Sequence, residues 1–151
     1  MIIKELDIKE HRKLITDFFF NVFTKEPWND DWSDTDQLNA YIEDLAGKTN
    51  SLTYGFFEND TISEETMLGL TMGSVKHWYR GTEYLIDELC VRTDKQGMGI
   101  GTAFMDEIKN TLTKKDIHKI FLLTDKDAPA FEFYKKQGFV LEDMVALHST
   151  F

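Results

Sequence analysis

Between Val91 and Thr102 the chain reads VRTDKQGMGIGT, with Gly97, Gly99 and Gly101 falling inside five residues. An apolar run leads into this stretch, and Ile100, Phe104, Ile108 and Leu112 recur every four residues beyond it, so a strand passes through a glycine loop directly into an amphipathic helix. Such a junction aims several backbone N–H groups at one place, where the helix dipole adds partial positive charge and favours an anion, usually phosphate. Three closely spaced glycines cost backbone entropy that a mere connecting turn has no reason to bear. The loop is no Walker-type P-loop, because the required Lys and Ser/Thr are missing. It also departs from GxGxxG, because Phe104 stands where a third small residue belongs. Nucleotide triphosphates and Rossmann dinucleotides are therefore excluded on spacing.

The rest of the chain sets the context of this loop. Its 151 residues fit one domain, expected over 1–151. Residues 2–6 read as a strand and Ile8 to Thr24 as a helix, with Leu14, Phe18 and Val22 on one face. A second helix opens near Ser33 to Asp36 and carries Leu38, Tyr41, Ile42 and Leu45 up to Gly47. Runs 51–58, 66–76 and 83–92 read as an antiparallel meander. After the loop and its helix come a strand over 118–124, a short helix over 127–137 closed by Gly138, and a last strand over 139–148. The expected order is β-α-α-β-β-β-α-β-α-β, an α/β (α+β) domain with one mixed sheet of six to seven strands and about four helices.

Charge and cysteine content narrow the function. The net charge of -10 repels phosphate backbones and no basic stripe offsets it, so a nucleic-acid partner is not expected and a cationic small molecule or peptide is. One Cys closes no intrachain disulfide, and the start MIIKELDIKEH lacks the basic and apolar regions of a secretory leader. A cytoplasmic protein with no membrane partner is expected. His11, His77, His118 and His148 are scattered singly and predict no metal.

Gln96, Gly99 and Gly101 fit the Q/R-x-x-G-x-G/A acetyl-coenzyme A signature, and Phe133-Tyr134-Lys135-Lys136-Gln137-Gly138-Phe139 resembles the second signature of the GCN5-related N-acetyltransferases (GNAT). With the element order, this resemblance covers nearly the whole chain and extends to aminoglycoside 6'-N-acetyltransferase-like members. It implies that acetyl-CoA is the cosubstrate, its pyrophosphate resting on Gln96, Gly97, Met98, Gly99, Ile100, Gly101 and Thr102. It further implies that the pantetheine pairs like an extra strand with Leu89, Cys90 and Val91, one of whose N–H groups serves the thioester oxygen. By the same resemblance Tyr134 protonates the departing thiolate. A phenol near pKa 10 facing a thiol near 8.5 is uphill by roughly 2 kcal/mol, which a positioned hydrogen bond can offset. The family often places Asn at the start of the last helix; Asp127 stands there, as a cofactor contact or as a helix N-cap ahead of Pro129.

An amine acceptor with pKa near 10.4 must lose a proton, at about 4.6 kcal/mol at pH 7. Asp87 and Glu88 precede the cofactor-pairing residues, and strand alternation lets only one of them face a given side. Both stay candidates, Asp87 also as a substrate contact, and a base acting through water is a further route. Residues 26–47 hold seven acids and no Lys or Arg, interleaved with Trp28, Trp32 and Tyr41. Trp28 and Trp32 with these acids suit a cation such as an aminoglycoside or a polyamine, through ion pairing and cation–π contact. A solvated acidic helix with both Trp packed inward fits the same residues. Cys90, with no neighbouring His, reads as a small core residue rather than a nucleophile.

The expected reaction is direct transfer of an acetyl group from acetyl-CoA to a primary amine. The rival is a non-catalytic CoA- or metabolite-binding sensor of the same fold. The edge of the last strand could support a homodimer.

Overall fold

The computed structural model describes all 151 residues. Strand β1 (Ile2–Glu5) leads through Asp7, whose carboxylate accepts from Lys9 N–H, into helix α1 (Ile8–Phe23). Helix α2 (Thr35–Ala46) starts at Asp34, whose side chain accepts from Gln37 N–H. Both caps satisfy N–H groups that a helix start leaves unpaired. The meander continues the chain as β2 (Ser51–Phe57), β3 (Met67–Trp78) and β4 (Gly81–Val91), then α3 (Ile100–Thr113), β5 (Lys119–Leu122) and α4 (Pro129–Lys136). The sheet runs β1-β2-β3-β4-β5, antiparallel except for the β4–β5 pair, which is parallel.

Alternation along the strands gives the sheet two buried faces. On one, Ile15, Phe19, Val22, Leu38 and Ile42 from α1 and α2 pack against Phe57, Leu70, Met72 and Cys90. On the other, Phe104, Met105, Ile108 and Leu112 from α3 pack against Leu52, Tyr54, Phe56, Tyr84 and Ile86. The stripe read as Ile100, Phe104, Ile108 and Leu112 is the face α3 buries. Each such side chain contributes about 1.5–3 kcal/mol when fully removed from water. Tyr84, wholly buried, donates its hydroxyl to Leu52 O at 2.7 Å, so the aromatic core brings its own polar partner.

Two features of β4 set the geometry of its outer edge. The β3–β4 register shifts between Met72 and Gly73, with Met72 opposite Glu88 and Gly73 opposite Ile86, so Asp87 is the extra residue of a bulge. The β4–β5 pairing spans only Glu83–Ile86 against Lys119–Leu122. Beyond Ile86 the two strands part.

The expected final strand over 139–148 does not form, so the sheet has five strands rather than six to seven. The mixed α/β architecture otherwise stands as read. No backbone hydrogen bond ties residues 140–151 to β5 or to any other element. The segment has strand-like alternation but no partner, and an unpaired strand gains nothing to offset its ordering entropy.

Candidate active site

The parting of β4 from β5 creates the first part of the site. Arg92 N–H bonds Leu68 O at 2.9 Å, and in an antiparallel ladder the bonded pairs alternate. Cys90 and Glu88 are therefore bonded to Leu70 and Met72, while Leu89 and Val91 turn their N–H groups away from β3, toward the gap left by β5. Val91 O on that side accepts from Gln96 Nε2 at 3.1 Å, which ties the loop back to the strand.

The loop supplies the second part. Gly97 and Gly99 both have left-handed backbone, with φ of 77° and 80°, a conformation that costs an L side chain roughly 1–2 kcal/mol. Gly99 is the N-cap of α3 and has no side chain to cap it. None of the backbone N–H groups of Gly97, Met98, Gly99, Ile100, Gly101 and Thr102 donates to an acceptor within the chain. Six successive amides at a helix start thus stand open to an anion. A Cβ on Gly101 would lie 3.2 Å from Phe133 Cε2, so its absence lets α4 approach α3 closely. Gln137 Nε2 on Thr102 Oγ1 at 3.0 Å locks that approach and uses the Thr102 side chain, leaving its N–H for the cradle. Met98 is exposed at the loop tip.

Tyr134 lies on the buried face of α4, edge-on to Phe133 and Phe139 at 5.3 Å each, and its hydroxyl meets no acceptor in the chain. Burial raises its pKa above the usual phenol value, with smaller contributions from the negative charge of Glu88 and from Cys90. Charges on β4 are therefore felt at the Tyr134 hydroxyl, which links α4 electrostatically to the strand gap. Cys90 is buried and its thiol is pushed well up, first by desolvation and then by Glu88, while its N–H partner Leu70 opposes this. A thiol held protonated this firmly is a core residue and a poor nucleophile.

The bulge separates the two acids. Asp87 is exposed, with its pKa raised by partial burial and lowered by Lys48. Glu88 turns inward to the α1/α2 side, where Tyr41 donates its hydroxyl to Glu88 Oε1 at 2.5 Å. Desolvation raises the Glu88 pKa above the ordinary glutamate range, the Tyr41 bond lowers it, and Asp30 and Asp87 raise it again. Tyr41 stacks on Trp32 with centroids 5.1 Å apart, and Phe19 lies edge-on to Trp32 at 5.4 Å. Trp28 packs on Phe23 at 5.7 Å. Both Trp are thus partly packed inward, yet they and Tyr41 wall the side on which Glu88 and Asp30 sit.

In the sequence Tyr41 is only one aromatic among acids. Its contact with Glu88 bridges 47 residues, and no local pattern reports it. The helix-cap expectation for Asp127 fails. Ala128 occupies the N-cap with Pro129 next, because Asp127 is held one residue upstream by its own N–H on the Asp125 carboxylate at 3.1 Å. Asp127 remains exposed and contributes no cap.

The parted parallel pair and the amide-lined loop thus leave backbone donors open along one side of the site. The family model described as "Acetyltransferase (GNAT) family" matches residues 9–139, and the chain belongs to that family. No curated protein matches significantly. Among solved structures, the chain is similar to an aminoglycoside acetyltransferase from an uncultured soil metagenomic sample in complex with sisomicin. The two share 20% identity and a TM-score of 0.70, over 99% of this chain and 95% of that one. A possible acetyltransferase from Clostridium difficile 630 is similar at 17% identity and TM-score 0.77, covering 99% and 97%. AAC(6')-Iy in complex with a bisubstrate analog, CoA-S-monomethyl-acetylneamine, is similar at 13% identity and TM-score 0.69, again covering 99% and 97%. At these identities the likeness is one of fold.

Proposed function

We propose that the protein transfers the acetyl group of acetyl-CoA directly to a primary amine of a small cationic acceptor. The observation that carries this reading is the run of six unbonded amides from Gly97 to Thr102, opening beside a β4 edge that β5 has left free. The residues fit the cosubstrate. The amide cradle suits a diphosphate, and the outward N–H groups of Leu89 and Val91 suit an extended amide-bearing arm. Acetyl-CoA brings a thioester whose acyl carbon is already activated.

The chain's own residues do the rest. One of the N–H groups turned into the gap donates to the oxygen on which negative charge develops. Glu88 takes the proton lost by the attacking amine as the C–N bond forms, and Tyr134 gives its phenolic proton to the sulfur as the C–S bond breaks. The Tyr41 bond occupies one Glu88 oxygen and orients the other. Burial raises the Tyr134 pKa above the usual phenol value, and a hydrogen bond from its hydroxyl to the departing sulfur works against the uphill phenol-to-thiolate transfer, roughly 2 kcal/mol for the unperturbed pair. Trp32, Tyr41, Asp30 and Glu88 present aromatic faces and negative charge to a polycation such as an aminoglycoside or polyamine.

Calorimetry with acetyl-CoA, followed by thiol release across aminoglycosides, polyamines and amino-acid amines, tests the reading. Micromolar binding with turnover of at least one amine is expected. Absence of acetyl-CoA binding at high micromolar concentration overturns it, and binding without turnover of any amine leaves a sensor in its place.

A further inference from the structure

Glu88 is fixed from two sides. Its backbone carbonyl accepts from Thr71 Oγ1 on β3 at 3.0 Å, and its carboxylate accepts from the Tyr41 hydroxyl on α2. The first contact lies within the sheet, whereas the second depends on where one phenol is held. That phenol belongs to an aromatic cluster drawn from three parts of the chain. Trp32, in the connection between α1 and α2, lies flat on Tyr41 with centroids 5.1 Å apart and planes 19° apart. Phe19 of α1 meets the indole edge-on at 5.4 Å and also reaches the Tyr41 ring at 5.8 Å. Because Phe19 is buried in the core, the indole is a wedge between an anchored helix and the ring whose hydroxyl reaches Glu88. The wedge has a cost that packing alone does not explain. Trp32 Nε1 is buried without a hydrogen-bond partner, and an unpaired buried donor is unfavourable. Phe or Leu at this place would carry no such donor. What the indole adds over them is a wide flat face, and that face lies on Tyr41.

Given Glu88 as the base of the proposed reaction, we propose that Trp32 is a positioning residue for the transfer step: it acts through Tyr41, pinning the phenolic hydroxyl to one Glu88 oxygen so that the other stays aimed at the attacking amine. The contact also governs whether Glu88 is charged. Burial raises the Glu88 pKa, the Tyr41 bond lowers it, and the charges of Asp30 on the connection and Asp87 on β4 raise it again. Cys90 on β4 and Tyr134 on α4 feel the Glu88 charge in turn. Among these neighbours Tyr41 alone favours the ionised form. Its own pKa is pushed up, first by desolvation and then by the bond to Glu88, so it stays a proton donor to the carboxylate. A Tyr41 ring free to swing away would leave Glu88 protonated to higher pH, and a protonated carboxyl takes no proton from an amine. The packing of α1 against α2 thereby reaches the chemistry through one indole.

Three variants separate positioning from packing. Trp32→Leu removes the flat face, Trp32→Phe keeps an aromatic one, and Tyr41→Phe removes the hydroxyl but keeps every ring. Carbon-13 NMR of Glu-labelled chain reads Glu88 directly, its carboxyl signal being the one missing from Glu88→Gln. Its titration should move to higher pH in Trp32→Leu and Tyr41→Phe and stay near the parent in Trp32→Phe. In thiol-release kinetics with acetyl-CoA and kanamycin or spermidine, kcat should fall about tenfold or more in Trp32→Leu and in Tyr41→Phe, with the acid limb of the pH–rate profile moved the same way. Trp32→Phe should restore kcat to within about threefold of the parent. In a Tyr41→Phe background, Trp32→Leu should lower kcat no further, because the hydroxyl it positions is gone. Losses of kcat that add overturn the proposal and leave Trp32 as packing or as an acceptor contact. An unmoved Glu88 titration in Trp32→Leu chain with parental far-UV circular dichroism overturns it as well. Tyr41→Phe guards against a Trp32→Leu chain that does not fold, since an unmoved titration there refutes the coupling by itself. A fully active Glu88→Gln chain instead removes the base and the proposal with it, and is told apart because the titration still moves.

Discussion

Replacing Glu88 by Gln separates its chemical role from its structural one. Gln keeps an oxygen that accepts from the Tyr41 hydroxyl, now at 2.5 Å from Oε1, but it cannot take a proton. A hydrogen bond to a charged acceptor contributes about 1.5–3 kcal/mol and one to a neutral acceptor about 0.5–1.5, so the exchange weakens this bond by about 1 kcal/mol. Removing a half-buried carboxylate relieves a desolvation penalty of similar size, the same penalty that heads the causes of its raised pKa. Stability at pH 7 is therefore expected within about 1 kcal/mol of the parent. The pH dependence has a definite sign. A carboxyl whose folded pKa lies above its unfolded value holds extra protons in the native state, so its stabilising contribution is complete below the unfolded pKa and is lost as pH rises through the folded one. Glu88→Gln removes that loss, and its stability relative to the parent should improve between acid and neutral pH. Activity should behave oppositely, with kcat/KM down by about 10²–10⁴ and the acid limb of the pH–rate profile flattened. Urea unfolding from pH 4 to 8 alongside thiol-release kinetics measures both. A kcat/KM within threefold of the parent with the acid limb intact would refute the assignment.

Tyr134→Phe should lower kcat by about 10²-fold or more and leave acetyl-CoA affinity within a fewfold, by steady-state kinetics and calorimetry; an unchanged kcat removes the acid role. Gly99→Ala puts a Cβ where nothing lies within 4 Å but φ is 80°, so it should cost about 1 kcal/mol in urea unfolding and weaken acetyl-CoA binding at least tenfold by disturbing the amide cradle; equal affinity would mean those amides do not hold the phosphates. Tyr84→Phe removes the buried hydroxyl bond to Leu52 O, which the β2–β3 ladder still serves, and should cost about 0.5–1.5 kcal/mol, seen as a lower denaturant midpoint, with kcat/KM within a fewfold.

What could be read from the sequence was whatever depends on neighbours a few residues apart. The spacings of Leu14, Phe18 and Val22 and of Ile100, Phe104 and Ile108 report helical faces, and α1 and α3 lie where those spacings put them. The glycine loop was legible because Gly97 and Gly99 answer to a local backbone demand, positive φ. Long-range facts were not. Alternation alone could not choose between Asp87 and Glu88, because it assumes an unbroken ladder, and the bulge adds a residue at Asp87. Tyr41 joins the site only through the way α2 lies on the sheet. The last strand failed for a related reason: a pattern that suits a strand says nothing of whether an edge within the same chain receives it, and residues 140–151 remain unpaired.

The single cysteine has a practical bearing on all of these measurements. Cys90 is buried against Met72 and Leu70 with its thiol held protonated, so the native protein presents no reactive sulfur of its own to a disulfide reagent such as Ellman's. Colour that develops in a continuous assay then reports released coenzyme. A slow signal that appears without any amine marks opening of the core at β4, which gives the same reagent a second use as a probe of unfolding.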